Sequence, residues 1–336
     1  MPSMPQNKLI FLISSPRSGS TLLQRMLGSH TQIFTHPEPH LLTPLYYLGY
    51  YNTVDKAPYD HINAAQALRE FVQELPHGEE DYLDALRAYS NTIYQRVLAP
   101  TGKRLFLDKT PAYALILPFL MKLYPKSKYV VLTRHPMAIA HSYAHSFFAG
   151  DYLGAHAKNP IVTRYVPAIG EFLREQGSNL VRTRYEDLVN NPRQELQRIF
   201  EHLQIPFEPD TIEYGKHQHI TKSYGDPMSV ERHQTPVTTS LNTWAQDLLA
   251  KPEILEFAKE LVEELNPDDL NAWGYPKESF FDALQGQVAL ETRASAFNSY
   301  RIKRQALSFL RRHAQDNTMA TTLRKIRYYC DVILRA

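Results

Sequence analysis

Cysteine is nearly missing from this 336-residue chain: Cys330 is its one example. A single thiol excludes an internal disulfide and a cysteine-based metal cluster, and it fits a reducing, cytoplasmic setting. Long apolar runs are missing as well. No stretch approaches the roughly 18 apolar residues of a spanning helix. Met1–Lys8 has no apolar segment, so neither a membrane span nor a signal peptide is expected. The 14 histidines are scattered along the chain, without the close pairing that a zinc site shows, and no metal is expected. An excess of charge of one sign is missing too, with 37 Lys and Arg against 35 Asp and Glu and a net charge of +2, and no nucleic-acid partner is expected. What is present, 43% hydrophobic and 21% charged residues, is the composition of a soluble globular protein. The length suits one large α/β core or two modest ones, and there is no internal repeat.

Another absence lies inside a motif. The apolar run Leu9–Ile13 empties into Ser14-Ser15-Pro16-Arg17-Ser18-Gly19-Ser20-Thr21, after which Leu22, Leu23 and Met26 continue at helical spacing. This is a phosphate loop without its magnesium chemistry. A nucleoside-triphosphatase loop needs a first Gly and a Gly-Lys-Ser/Thr end, yet Ser14 and Ser20 take the Gly and Lys positions. The cation has moved inside the loop, to Arg17. Gly19 still allows close backbone approach, and helix N-terminal N–H groups cradle a compact anion.

A second run, Tyr129–Leu132, ends in Thr133-Arg134-His135-Pro136. A magnesium-dependent P-loop enzyme carries an Asp at such a place. Here Arg134 stands instead, and Ser142 follows two helical turns later, a pattern that predicts a second phosphate site.

Runs at Leu9–Ile13, Leu105–Leu107, Tyr129–Thr133 and Leu180–Arg184 alternate with helical segments. The pattern predicts an α/β fold with a P-loop-like central parallel sheet flanked by helices and ligands outside the carboxyl ends of the strands. The stretch from Leu45 to Pro100 reads as a helical insertion on the acceptor side. Its tyrosines 46, 47, 50, 51 and 59 are either pocket lining or core and lid packing. A domain over 1–286 is followed by a helical tail, 287–336, with ten Lys or Arg against three Asp or Glu. This basic tail is read as a helix on its own domain, an oligomer contact, or a patch for an acidic carrier protein or a membrane surface.

Together these motifs resemble the sulfotransferases that use 3′-phosphoadenosine 5′-phosphosulfate (PAPS) and release PAP. The Pro16–Thr21 loop is similar to their 5′-phosphosulfate loop, Arg134 and Ser142 to their 3′-phosphate site, and Arg184-Tyr185-Glu186-Asp187-Leu188 to a nucleotide-holding segment. Pro37-Glu38-Pro39-His40-Leu41-Leu42 and Asp108-Lys109-Thr110-Pro111 look more like tyrosylprotein sulfotransferases and the sulfotransferase domains of bacterial polyketide synthases than like the cytosolic phenol and steroid enzymes. Those cytosolic enzymes have a Lys where this loop has Arg17, and their Arg-Lys-Gly end is not found here. The Lys222-Ser223-Tyr224-Gly225-Asp226-Pro227 segment resembles a nucleotide-side loop, with a role for Gly225 and Lys222.

The resemblance implies a metal-free in-line transfer of the sulfuryl group to a hydroxyl, or an amine, of a small molecule or a carrier-bound acyl chain. Such a reaction needs a base for the acceptor proton and cations for the departing charge. Glu38 takes the position of the base, and His40 is the competing candidate. In an extended segment the two point to one side. Lys109 would stabilise the bridging oxygen and Arg17 the sulfonate or 5′-phosphate, with hydroxyls from Ser20 and Thr21. The alternatives are an ATP-dependent small-molecule kinase, disfavoured by Ser20 and Arg134, and a non-catalytic anion-binding module.

Overall fold

A computed structural model describes residues 5–54, 58–175, 179–220 and 233–284. Lys222, Gly225, Cys330 and the basic segment 287–336 lie outside the described residues. Five strands, β1 (Leu9–Ser14), β2 (Ile33–Pro37), β3 (Leu105–Lys109), β4 (Lys128–Thr133) and β5 (Leu180–Arg184), form one parallel sheet in the order β2-β3-β1-β4-β5.

Every residue of the central β1 is buried because helices cover both faces of the sheet. Its side chains alternate between two cores. Leu9, Phe11 and Ile13 pack with Tyr124, Tyr129 and Phe172 on one face. Ile10 and Leu12 pack with Leu23, Met26 and Phe200 on the other. Helices α1 (Ser20–Gly28) and α10 (Pro192–Leu203) close the second core, and α4 (Glu79–Leu98), α5 (Leu117–Leu123) and α8 (Ile161–Glu175) contribute to the first.

Strand β2 was not expected from the sequence. It is an edge strand pairing with β3 alone, only its first residue is buried, and it ends Thr35-His36-Pro37. An edge position tolerates both the polar residues and the proline. Between β2 and β3 lie α2 (Thr43–Tyr46), α3 (His61–Gln73) and α4. Tyr46, Tyr47, Tyr50 and Tyr51 stack on one another and on Tyr82 and Phe119, with Tyr51 and Phe119 centroids 4.7 Å apart. Tyr59 is exposed.

The strand ends are level. Ser14 is in register with Leu132, Thr133 with Arg184, and Pro37 with Lys109. The loops that leave these ends therefore face a common space, lined also by α1, α6 (Pro136–Phe147), α8, α9 (Tyr185–Asn190) and α11 (Thr243–Ala250), and the remaining helices are α7 (Tyr152–Lys158), α12 (Pro252–Glu264) and α13 (Pro267–Trp273).

Candidate active site

The loop after β1 turns into α1 through two left-handed residues, Arg17 (φ 69°) and Gly19 (φ 89°). Gly19 is required there for a second reason: a Cβ would lie 2.4 Å from Cδ2 of Tyr185. The same ring carries the Arg134 guanidinium, 4.4 Å above its centroid. Arg134 is nearly buried. Its Nη1 donates to the carbonyl of Arg17 (3.1 Å), and its own carbonyl accepts from Nε1 of Trp273 (2.8 Å). Arg17 points toward α6, where Nε and Nη2 donate to the hydroxyls of Ser142 (3.1 Å) and Ser146 (3.0 Å). Ser142 therefore partners Arg17 rather than Arg134, and the two expected anion sites open into one cavity of about 750 Å³.

Around this loop Ser14 Oγ, Ser18 Oγ, Thr133 Oγ1 and Arg134 Nε are buried without a hydrogen-bond partner. Buried polar groups are normally satisfied. Of the four residues only Arg134 lines the cavity, where with Arg17 and the N-terminus of α1 it fits a polyanionic group such as a phosphosulfate. Pro16, Arg17, Gly19, Ser20, Thr21, Arg134, Ser142 and Tyr185 all line the cavity, whereas Ser18 lies behind it.

On the opposite wall, Glu38 and His40 also line the cavity. The segment is turned, with φ of 30° at Glu38 and 51° at His40. The side chains still converge: Glu38 Oε2 lies 3.8 Å from His40 Nε2, and Oε1 accepts from Lys109 Nζ at 2.7 Å. Lys109 is wholly buried beneath Glu38 and is not among the lining residues. Its Nζ is engaged by the Glu38 carboxylate.

The turn is fixed from below. Leu42 N–H donates to Tyr113 Oη (3.1 Å), and Tyr113 in turn donates to Asp108 Oδ2 (3.1 Å), which also accepts from Tyr94 (2.6 Å). Thr110 donates to the other oxygen (2.9 Å). Burial pushes the Asp108 carboxyl up, and these three donors oppose that shift.

Sequence reading missed three groups. His135 caps α6, accepting from Met137 N–H, and donates through Nε2 to the Phe280 carbonyl (2.9 Å). It stacks 4.0 Å from Trp244, and burial holds its pKa at about 4. Tyr165, a lining residue, is pushed by burial to about 12 and stays a proton donor. Finally, His141 and His145 occupy one face of α6 and meet Asp247 of α11. Burial works against the Asp247 carboxylate, but hydrogen bonds from His141, His145 and Tyr152 hold it well below the usual range. The expectation that no histidines pair closely is thus wrong for these two. Their spacing, one helical turn, was the available signal. None of the tyrosines 46, 47, 50, 51 and 59 lines the cavity: the first four pack against one another, and Tyr59 is exposed.

With this geometry established, relatives can be compared. Residues 10–209 match the sequence profile of the sulfotransferase family. The chain is similar to the nodulation protein NoeE of Sinorhizobium fredii, 28% identical over 76% of this chain and 67% of that protein. It is also similar to a protein-tyrosine sulfotransferase of Drosophila melanogaster, 23% identical over 70% of this chain and 45% of that one. Among solved structures, the sulfotransferase domain of the Synechococcus PCC 7002 olefin synthase superposes with a TM-score of 0.52 at 25% identity, covering 77% of this chain and 95% of the domain. Among the described residues, no helix is long and apolar enough to cross a membrane.

Proposed function

The chain belongs to the sulfotransferase family and is a transferase, and we propose that it moves the sulfuryl group of PAPS, in a cytoplasmic setting, to a hydroxyl of a small-molecule or carrier-bound acyl acceptor. The observation that carries this reading is the arrangement of the cavity: Arg17 and Arg134, which follow the inner strands β1 and β4, share it with the Glu38–His40 pair, which follows the edge strand β2. The acceptor hydroxyl loses its proton to Glu38, and its oxygen forms a bond to sulfur as the bond from sulfur to the bridging phosphate oxygen breaks. PAP leaves with the electron pair. Arg17, the loop N–H groups and the Ser20 and Thr21 hydroxyls stabilise the developing charge, and Arg134 holds the 3′-phosphate. Lys109 aims the Glu38 carboxylate, and His40 lies beside its other oxygen.

Glu38 is the only carboxylate lining the cavity among the described residues, which supports nucleotide binding by side-chain cations rather than through Mg²⁺. Titration calorimetry with PAP and with ATP, each with and without Mg²⁺, tests the reading. PAP should bind equally well in both conditions and more tightly than ATP. Binding that requires Mg²⁺, or a preference for ATP, would reject it. Labelled PAPS offered with a panel of alcohols, acyl carriers and tyrosine peptides identifies the acceptor. The relatives named for protein tyrosine and for a synthase make the last two the first to try.

A further inference from the structure

His141 and His145 stand one turn apart on α6, with ring centroids 4.2 Å apart. Asp247 comes to them from α11, and a single one of its oxygens, Oδ2, takes His145 Nε2 at 2.7 Å, His141 Nδ1 at 3.1 Å and the Tyr152 hydroxyl at 2.9 Å. One nitrogen from each ring and this oxygen all lie within 4.8 Å of one another. Four-coordinate zinc, with bonds of about 2.0–2.1 Å, places its ligand atoms roughly 3.3 Å apart. Two of the three separations are already within about 0.6 Å of that spacing. An ordinary staple between two helices needs one donor and one acceptor. Here three polar groups from two helices, α6 and α7, converge on one atom of a third, α11.

We propose that His141, His145 and Asp247 bind a divalent transition metal ion of the zinc class, at the edge of the nucleotide cavity and on residues that the nucleotide reading does not use. The donor set, two imidazoles and a carboxylate, is borderline in softness and suits Zn²⁺ better than Mg²⁺ or Ca²⁺. Each imidazole keeps one proton, moved to the nitrogen that does not face the ion. Asp247 supplies one negative charge, so the bound site carries a net +1. The Tyr152 hydroxyl, 2.8 Å from His141 Nδ1 as well, holds the ligands in place from outside. Both histidines line the cavity beside Ser142 and Ser146. Three protein ligands leave a fourth position for water or a cavity ligand, and the ion would tie α11 to α6.

The test uses tag-free full-length chain stripped with a chelator and titrated with Zn²⁺ against a chromophoric competitor. A parallel titration with Co²⁺ reads the visible spectrum. The expected result is uptake of one tight equivalent with four-coordinate Co²⁺ bands, weakened about tenfold or more by both His145→Gln and Asp247→Asn. His145 is half-exposed, so His145→Gln leaves the fold intact, and circular dichroism checks this for both variants. No uptake at micromolar free zinc, or uptake unchanged in either variant, overturns the proposal. PAP binding to the stripped chain is measured alongside. It reports on the nucleotide reading independently, since the proposal stands or falls on zinc uptake alone.

Discussion

The two walls of the cavity are built differently. The nucleotide wall rests on stacked layers: Trp273 holds the backbone of Arg134, Arg134 lies on Tyr185, and Tyr185 fills the space above Gly19. Its positive groups are fixed before any ligand arrives, as preorganised electrostatics requires. The acceptor wall is a short turn with two non-glycine residues at positive φ, one of them 45% exposed at its side chain. It is held at two points, Lys109 on Glu38 and Tyr113 on Leu42. Strain of this kind persists where surrounding contacts over-determine it, and it gathers at reactive centres. On the proposed function, the layered wall, although Arg17 there also has positive φ, should govern nucleotide affinity and the Glu38 turn should govern turnover.

Replacing Glu38 with Gln should separate the two most sharply. Removal of a general base lowers turnover by about 10² to 10⁴, while PAP affinity, set on the other wall, should stay within about twofold. His40→Asn should cause the smaller loss of rate. If His40→Asn is the more damaging, the imidazole is the base and Glu38 its orienting group. Near-normal turnover in both variants would remove this pair from the chemistry.

The rigid wall should be the acid-sensitive part of the fold. His135 is neutral in the folded chain with a pKa of about 4, against 6.5 in a model peptide. An unfolded chain binds this proton between those values, so stability is complete above pH 6.5, falls as pH drops, and has lost about 3 kcal/mol by pH 4. Urea unfolding at pH 7 and pH 4.5 should show a steeper decline for the wild type than for His135→Asn. Parallel declines would place the acid sensitivity elsewhere.

Arg134→Ala should weaken nucleotides bearing a 3′-phosphate by about 2 kcal/mol and leave adenosine 5′-phosphosulfate nearly unaffected, because a charge-assisted contact matters only when its partner is present. Equal losses for the two nucleotides would show that Arg134 serves the fold alone. The smallest effect is expected from Ser142→Ala, about 1 kcal/mol in PAP binding, since Arg17 keeps its contact with Ser146. A loss as large as that of Arg134→Ala would mean that Ser142 itself touches the nucleotide.

Legibility in the sequence followed local determination. β1, β4 and the loop between Ser14 and Thr21 were readable because an all-buried strand is an unbroken apolar run and its exit loop carries the chemistry. β2 was hidden because an edge strand need not be apolar. The Glu38 turn could not be read, since Pro39 favours extended backbone at the residue before it. The forces that bend it come from Lys109 and Tyr113, which only the sheet brings near. The insertion tyrosines announced burial without saying against what. Asp247 is far from His145 in the chain, and only the packing of α11 on α6 joins them.

The contact between Gly19 and Tyr185 links two positions that are remote in the chain. Any side chain larger than hydrogen at 19 demands a smaller one at 185, and a smaller residue there removes the platform under Arg134. Neither position can drift alone. In any lineage descended from this chain, the loop glycine and the distant tyrosine should be inherited as one trait.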